Sequence, residues 1–248
     1  MTKAAVRGLE ATTEFVYEKT GHYPYRAGVT GASKRGWTTW LTAAVDYERV
    51  TFMAPVYFDE LNMVENIHHH YRSLGGYTYA FADYWYAGIT EYLDSAAIES
   101  SRLVMDVLTF KDRYAKFQTN YIINAGNDEF FALGNPLYFL DQLSPATLLR
   151  VIPNQGHSGV EGGFTRTGSE TKQKWEMPFQ ENPAKVESRR SDSLWESLEA
   201  IFAASMWHPE LIPQIKTTLT NKQESTTIKG ESSIEANYIR SWKGKIGQ

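Results

Sequence analysis

The chain contains no cysteine. That excludes a disulfide framework and any thiolate chemistry. It fits a reducing compartment and leaves secretion open. No apolar run is long enough to span a bilayer. The opening residues, Met1-Thr2-Lys3-Ala4-Ala5-Val6-Arg7-Gly8, lack the apolar core of a signal peptide. There is no strong excess of charge: the net value is −4, so neither nucleic acid nor an acidic membrane is a general partner. No internal repeat is visible.

What is present is ordinary globular composition in 248 residues, enough for one large or two small domains. The exception is the 14% aromatic content, which is high enough to ask whether the rings fill a core or line a substrate cleft. Residues 2–20 read as an amphipathic helix, with Thr2 as its cap, Ala5, Leu9, Thr12 and Val16 at helical spacing, and Gly21 as its stop. Apolar runs of strand length follow at 25–30, 50–58, 120–125 and 148–153, and Pro55 is expected to bend or end the second. Residues 60–118 are aromatic and mostly helical in pattern, and 135–143 form a short helix. Continuous apolar strands alternating with helices predict a parallel sheet covered on both faces.

The composition changes after residue 158. Residues 159–193 are rich in Gly, Ser, Thr and charge and read as a polar loop or insertion. Residues 194–248 read as a helix, with Leu194, Leu198, Ile201, Phe202 and Met206 on one face, then a weakly structured tail. Two short stretches in that tail, 226–228 and 238–239, are weak strand candidates.

The chemistry centres on Gly31-Ala32-Ser33-Lys34-Arg35-Gly36, which lies between the first strand and a helix at 37–45. A serine flanked by small residues at a strand-to-helix turn is the setting of a nucleophile elbow. The following helix turns its unpaired N–H groups towards any oxyanion formed there. A nucleophilic serine needs a base, and the base an orienting acid. Asp128 follows the third strand and His157 the fourth. The order serine, acid, histidine and the position of each at a strand's C-terminal end are those of an α/β-hydrolase triad. Ser33, Asp128 and His157 are therefore the candidate catalytic residues. Lys34 is the candidate oxyanion residue through its backbone N–H. Its ammonium either adds charge there or is solvated on the first helical turn. The elbow departs from Gly-x-Ser-x-Gly, since Arg35 holds the second small position and the glycine comes at 36. Arg35 is tolerable if its side chain points away from the strand.

Together with Ala43-Ala44-Val45-Asp46, Asp128-Glu129-Phe130-Phe131 and Val151-Ile152-Pro153-Asn154-Gln155-Gly156-His157-Ser158, the elbow block resembles the PhoPQ-activated pathogenicity-related proteins, a family that includes the autocrine proliferation repressor A proteins. The resemblance covers roughly residues 1–158 and fades beyond. It implies an α/β fold, the C-terminal part of an α/β-hydrolase: strands five to eight of a mainly parallel sheet with a helical lid at about 60–118. It also implies the triad Ser33, Asp128 and His157. A second acidic residue that the family leads one to expect after the Phe-Phe pair is replaced by Ala132-Leu133-Gly134-Asn135.

In such a fold the elbow follows the fifth strand. The first four strands, and the loop giving the second oxyanion donor, are then absent from residues 1–158. The expectation is a fragment of a longer protein or a truncated gene, with the elbow strand as a sheet edge. Secretion follows from the resemblance if a signal peptide lies upstream.

The run His68-His69-His70 invites a metal, but consecutive helical residues diverge by about 100° and do not converge on one ion. No metal and no cofactor are expected. The rings of Tyr77, Tyr79, Phe81, Tyr84, Trp85 and Tyr86 read mainly as packing, with an aromatic lid over the serine as the functional alternative. Three functions follow. One is a serine hydrolase acting on a small-molecule ester or amide. The second is a non-enzymatic secreted repressor of cell proliferation that acts through a cell-surface partner. The third is an inactive fragment.

Overall fold

The computed structural model describes residues 1–116, 119–153, 155–157, 198, 201–202, 204–205, 215–222 and 225–232, the last two spans by backbone alone. Four strands, β1 (Ala27–Ala32), β2 (Val50–Val56), β3 (Thr119–Ala125) and β4 (Thr147–Ile152), form one parallel sheet in the order β1-β2-β3-β4. The direction and order agree with the expected part of an α/β-hydrolase sheet. Among the described residues β1 pairs with β2 alone.

Sequential parallel strands joined by right-handed crossovers send every connection to the same face. The larger core cluster lies there, beneath helix α2 (Lys34–Val45): Trp40, Ala43 and Ala44 meet Val50, Met53, Ile122, Val107, Tyr114 and Phe139. Helix α1 (Thr2–Thr20) packs on the same side through Leu9. It ends at Gly21, whose left-handed φ of 70° lets its N–H reach Tyr17 O at 2.8 Å. Two details of this helix differ from the expectation. Thr2 is already helical, so Met1 holds the cap position. Thr13, rather than Thr12, is the buried residue; its hydroxyl turns back to Leu9 O at 2.8 Å and so brings no unpaired donor into the interface.

The opposite face needs a cover from elsewhere in the chain. Val56, Tyr57, Ile123, Ala125 and Ile152 lie there, with Leu198 packed on them. Residues 198, 201–202 and 204–205 are helical. Phe202 meets Phe52 edge-to-face, with centroids 5.7 Å apart, directly over Gly28. Residues 159–193 lie outside the described residues, as do Leu194 and Met206 of the expected apolar face and the candidate strand at 238–239. Residues 226–228 fall within an antiparallel hairpin of β5 (Ile215–Lys222) and β6 (Ser225–Ser232).

Pro55 does not end β2. It pairs with Gly31 of β1, and the strand runs on to Val56. The missing N–H shows instead on the other side, where the ladder to β3 jumps from Met53–Asn120 to Val56–Ile123. Between β2 and β3 lie α3 (Met63–Leu74), α4 (Ala82–Tyr86), α5 (Ala96–Met105) and α6 (Lys111–Tyr114), interspersed with 3-10 turns. Asp106 fastens this segment: its carboxylate accepts the Met63 N–H at the start of α3 and the Leu108 N–H. The expected helix at 135–143 is two 3-10 turns, Asn135–Tyr138 and Leu140–Gln142, parted at Phe139, whose φ of −148° leaves the helical region.

The glycines at 8 and 36 give opposite predictions. A Cβ on Gly36 stands 2.8 Å from Phe58 Cβ and 2.9 Å from Val56 O, whereas one on Gly8 meets nothing within 4 Å. Gly36→Ala is expected to destabilise the chain by about 1–3 kcal/mol. Gly8→Ala, in mid-helix, is expected to stabilise it by up to ~1 kcal/mol. Urea denaturation of the two variants checks both signs.

Candidate active site

Ser33 occupies the turn between β1 and α2 at φ 57° and ψ −127°, a backbone conformation rare for a residue with a Cβ. Its N–H is held by Val56 O at 2.9 Å, which ties the turn to the end of β2. The turn closes only with small residues at two points. A Cβ on Gly31 falls 2.8 Å from Arg35 O, and one on Gly36 strikes β2 and Phe58. The glycine one position later than in the common motif is thus the residue where the first turn of α2 touches the sheet. Arg35, at the position where a small residue is usual, is exposed.

Ser33 is the N-cap of α2, yet its hydroxyl makes no capping bond. It lies 2.6 Å from His157 Nε2. The other ring nitrogen, Nδ1, lies 3.0 Å and 3.1 Å from the two oxygens of Asp128. A carboxylate accepts, so Nδ1 carries the proton and Nε2 is left to accept from the serine. The side chains of Asp128 and His157 are 1% and 12% exposed. All three sequence-predicted residues are therefore brought together from three separate strand ends. Gly126 N–H to Ile152 O at 2.8 Å, and Asn127 N–H to Gln155 O at 2.8 Å, hold the acid and histidine loops side by side beyond β3 and β4.

The Phe-Phe pair after the acid has two uses. Its backbone N–H groups, Phe130 at 2.8 Å and Phe131 at 3.0 Å, both donate to Asp128 Oδ1. Its rings pack against the imidazole, with centroids 4.5 Å and 5.3 Å from that of His157. Lys34 begins α2, where backbone N–H groups have no intrahelical acceptor. Its side chain is exposed and has no hydrogen bond or ion pair with a described residue.

Several residues outside the predicted set matter to this site. Asp59 is buried behind it and accepts from Asn124 Nδ2 at 2.6 Å and Asn135 Nδ2 at 3.1 Å. Burial, reinforced by the charge of Asp128 and opposed by these amides, pushes its pKa up to about 8. A neutral Asp59 has a proton to place, and the amide oxygens of both asparagines are buried without a described partner. Turning over one amide meets that donor. Glu60 is also buried and is held well above the usual carboxylate range by burial and by its neighbours Asp59, Asp128 and Asp106. Beside them the Tyr57 phenol is pushed up to about 12 by burial, with Asp128 adding to the shift. Sequence reasoning missed this group: an Asp-Glu pair after a strand reads as a turn, and its asparagine partners are far away in the chain.

Each histidine of the 68–70 run has a different partner. His68 Nε2 meets Asp94 at 2.7 Å, and His69 lies against Tyr138 and Ser73. His70 is fully buried. It accepts the Thr78 N–H on Nε2 at 3.3 Å, so Nδ1 is the protonated nitrogen and donates to Phe130 O at 3.1 Å. Among the described residues no group of three or more His, Cys, Asp or Glu could hold a metal ion, and no helix is long and apolar enough to cross a membrane. The lid aromatics also depart from the packing expectation. Phe81 is buried against His70, Tyr77 and Phe130. Tyr79, Tyr84, Trp85, Tyr86 and Tyr92 are exposed, because helices as short as α4 present most of their rings outwards.

Asp59 supplies a pH prediction. Its pKa rises from an ordinary 3.8 to about 8 on folding. Below about pH 4 both states hold the proton, and between about pH 4 and pH 8 only the folded state does, so stability falls as pH rises through that window. Asp59→Asn removes the dependence while keeping the shape and one acceptor. Its melting temperature is expected to exceed that of the parent chain at pH 8, with the gain shrinking towards pH 4. Thermal melts at several pH values check this.

Residues 1–177 match the family described as PhoPQ-activated pathogenicity-related protein. The autocrine proliferation repressor protein A of Dictyostelium discoideum is 35% identical over 160 residues, 64% of this chain. The chain spans about a third (32%) of that relative's length. Among solved structures, an α/β hydrolase from a Mar Chica lagoon metagenome is 15% identical, with a TM-score of 0.39 over 81% of this chain and 71% of its own. A carboxylesterase of the thaumarchaeon Nitrososphaera gargenis is 12% identical, with a TM-score of 0.40 over 83% and 72%. The match to the family over most of the chain, carrying the elbow and both loops described above, settles the assignment. The chain belongs to the PhoPQ-activated pathogenicity-related protein family.

Proposed function

We propose that Ser33, His157 and Asp128 form a serine hydrolase centre for a small-molecule ester or amide. The observation that carries the reading is the unbroken hydrogen-bond line from Ser33 Oγ through both imidazole nitrogens to Asp128. Ser33 Oγ attacks the substrate carbonyl while its proton passes to His157 Nε2. Asp128 stays ionised and balances the imidazolium. The Lys34 N–H donates to the oxyanion of the tetrahedral intermediate. The imidazolium then protonates the leaving alcohol or amine, and water, deprotonated by the same nitrogen, releases the acyl group from the serine. Hydrolases of this class take a second oxyanion donor from the loop after the third strand. Among the described residues, β1–β4 and their connections do not include that loop. Loss of one such donor typically costs about 10²–10³ in turnover.

A second reading is favoured by the likeness to autocrine proliferation repressor protein A. In it the chain is part of a secreted, non-enzymatic repressor that keeps the hydrolase scaffold and acts through a cell-surface partner. The two readings differ at one atom. A fluorophosphonate probe is expected to label the chain at Ser33, and Ser33→Ala to abolish labelling. Absence of labelling in a folded chain contradicts the hydrolase reading. Repression of proliferation that survives Ser33→Ala supports the second.

A further inference from the structure

Glu129, the residue after the catalytic-acid candidate, touches neither Ser33 nor the His157 ring, yet both of its carboxylate oxygens are in use. Oε2 accepts the backbone N–H of His157 at 2.8 Å. Oε1 accepts the phenol of Tyr79 at 2.9 Å. Its backbone carbonyl accepts the Thr78 hydroxyl at 2.6 Å. Thr78 and Tyr79 lie in the aromatic part of the lid segment, just after Tyr77. Glu129 therefore joins the segment between β2 and β3 to the loop after β4 through one side chain.

We propose that Glu129 is a positioning residue that couples the seating of the lid at Tyr79 to the placement of His157. The carboxylate is the middle of a relay in which the phenol fixes one oxygen and the other oxygen fixes the histidine backbone. The imidazole follows because its ring is already held by Asp128 on Nδ1 and packed against two phenylalanine rings. Its described hydrogen bonds all come from neutral donors of these two segments. Burial alone raises a carboxyl pKa, yet that of Glu129 lies below its ordinary value. The His157 N–H, its own backbone, the Tyr79 hydroxyl and the nearby imidazole together outweigh burial. The side chain is thus ionised and a strong acceptor at neutral pH.

A second strap runs parallel to the first. His70 takes the Thr78 N–H on one nitrogen and gives its other proton to Phe130 O, so the lid's entry is pinned to residues 129 and 130 together. Gly156 leaves room for the arrangement, since a Cβ there stands 3.3 Å from Glu129 Oε2. The coupling itself stands on geometry. Its consequence for reaction rate rests on the serine hydrolase reading.

The test uses the full chain with two independent readouts: amide hydrogen exchange at His157 followed by NMR, and the rate of fluorophosphonate labelling. Tyr79→Phe removes one hydroxyl from an exposed ring. It is expected to speed exchange of the His157 N–H about fivefold, the effect of weakening one charged hydrogen bond. Glu129→Ala is expected to speed it further and to slow labelling. Glu129→Gln keeps an acceptor for His157 and a donor for the Tyr79 oxygen, and is expected to restore most of both. Unchanged His157 exchange in Tyr79→Phe overturns the coupling, whether or not Glu129→Ala folds. Faster exchange with an unchanged labelling rate overturns the positioning role. A parent chain that exchanges as expected but never labels overturns the hydrolase reading alone and leaves the coupling standing.

Discussion

Ser33 holds a backbone conformation that costs about 1–3 kcal/mol for a residue with a Cβ. The surroundings over-determine it. Val56 O takes its N–H, Gly36 lets α2 touch β2, and Gly31 lets β1 pass under Arg35. Every other element of the site is arranged about the hydroxyl this turn presents. The parallel sheet brings the ends of β3 and β4 to the same edge as the end of β1, so two short loops suffice to deliver an acid and a base. The two loops are laced together before either reaches the serine.

The electrostatics divide the acidic residues into two groups. Asp128 meets two backbone N–H groups and the imidazole, which is why a carboxylate with almost no exposure is tolerable there. Asp59 is met instead by the amides of Asn124 and Asn135, and Glu60 Oε1 is buried without a described partner. Burial holds both in the neutral form, which leaves two charged carboxylates at the histidine, Asp128 on the imidazole and Glu129 on the backbone N–H. This division fits an acid–base centre.

How much of this was legible in the sequence follows from how local each feature is. The elbow, α2 and the two loops depend on residues within a few positions of one another. Their glycines, the Phe-Phe pair and the strand ends therefore mark them. Pro55 misled because a missing N–H matters only on the side where the ladder needs it, and the sequence does not say which side that is. The exposed rings of Tyr84, Trp85 and Tyr86 misled because aromatic content says nothing of orientation in helices of one or two turns. Glu129 stood inside a motif without a role, since its partners at 79 and 157 are joined only by the folded chain. The same distance hid the pairing of Asp59 with Asn124 and Asn135.

The account turns on which nitrogen of His157 carries the proton. With Asp128 accepting from Nδ1, Nε2 is free to take the serine's proton. Long-range nitrogen–proton NMR of the imidazole at neutral pH reads this directly. The account predicts a single Nδ1–H tautomer in the folded chain that is lost in Asp128→Ala. A proton resident on Nε2 contradicts it, because that nitrogen then has no lone pair to offer Ser33.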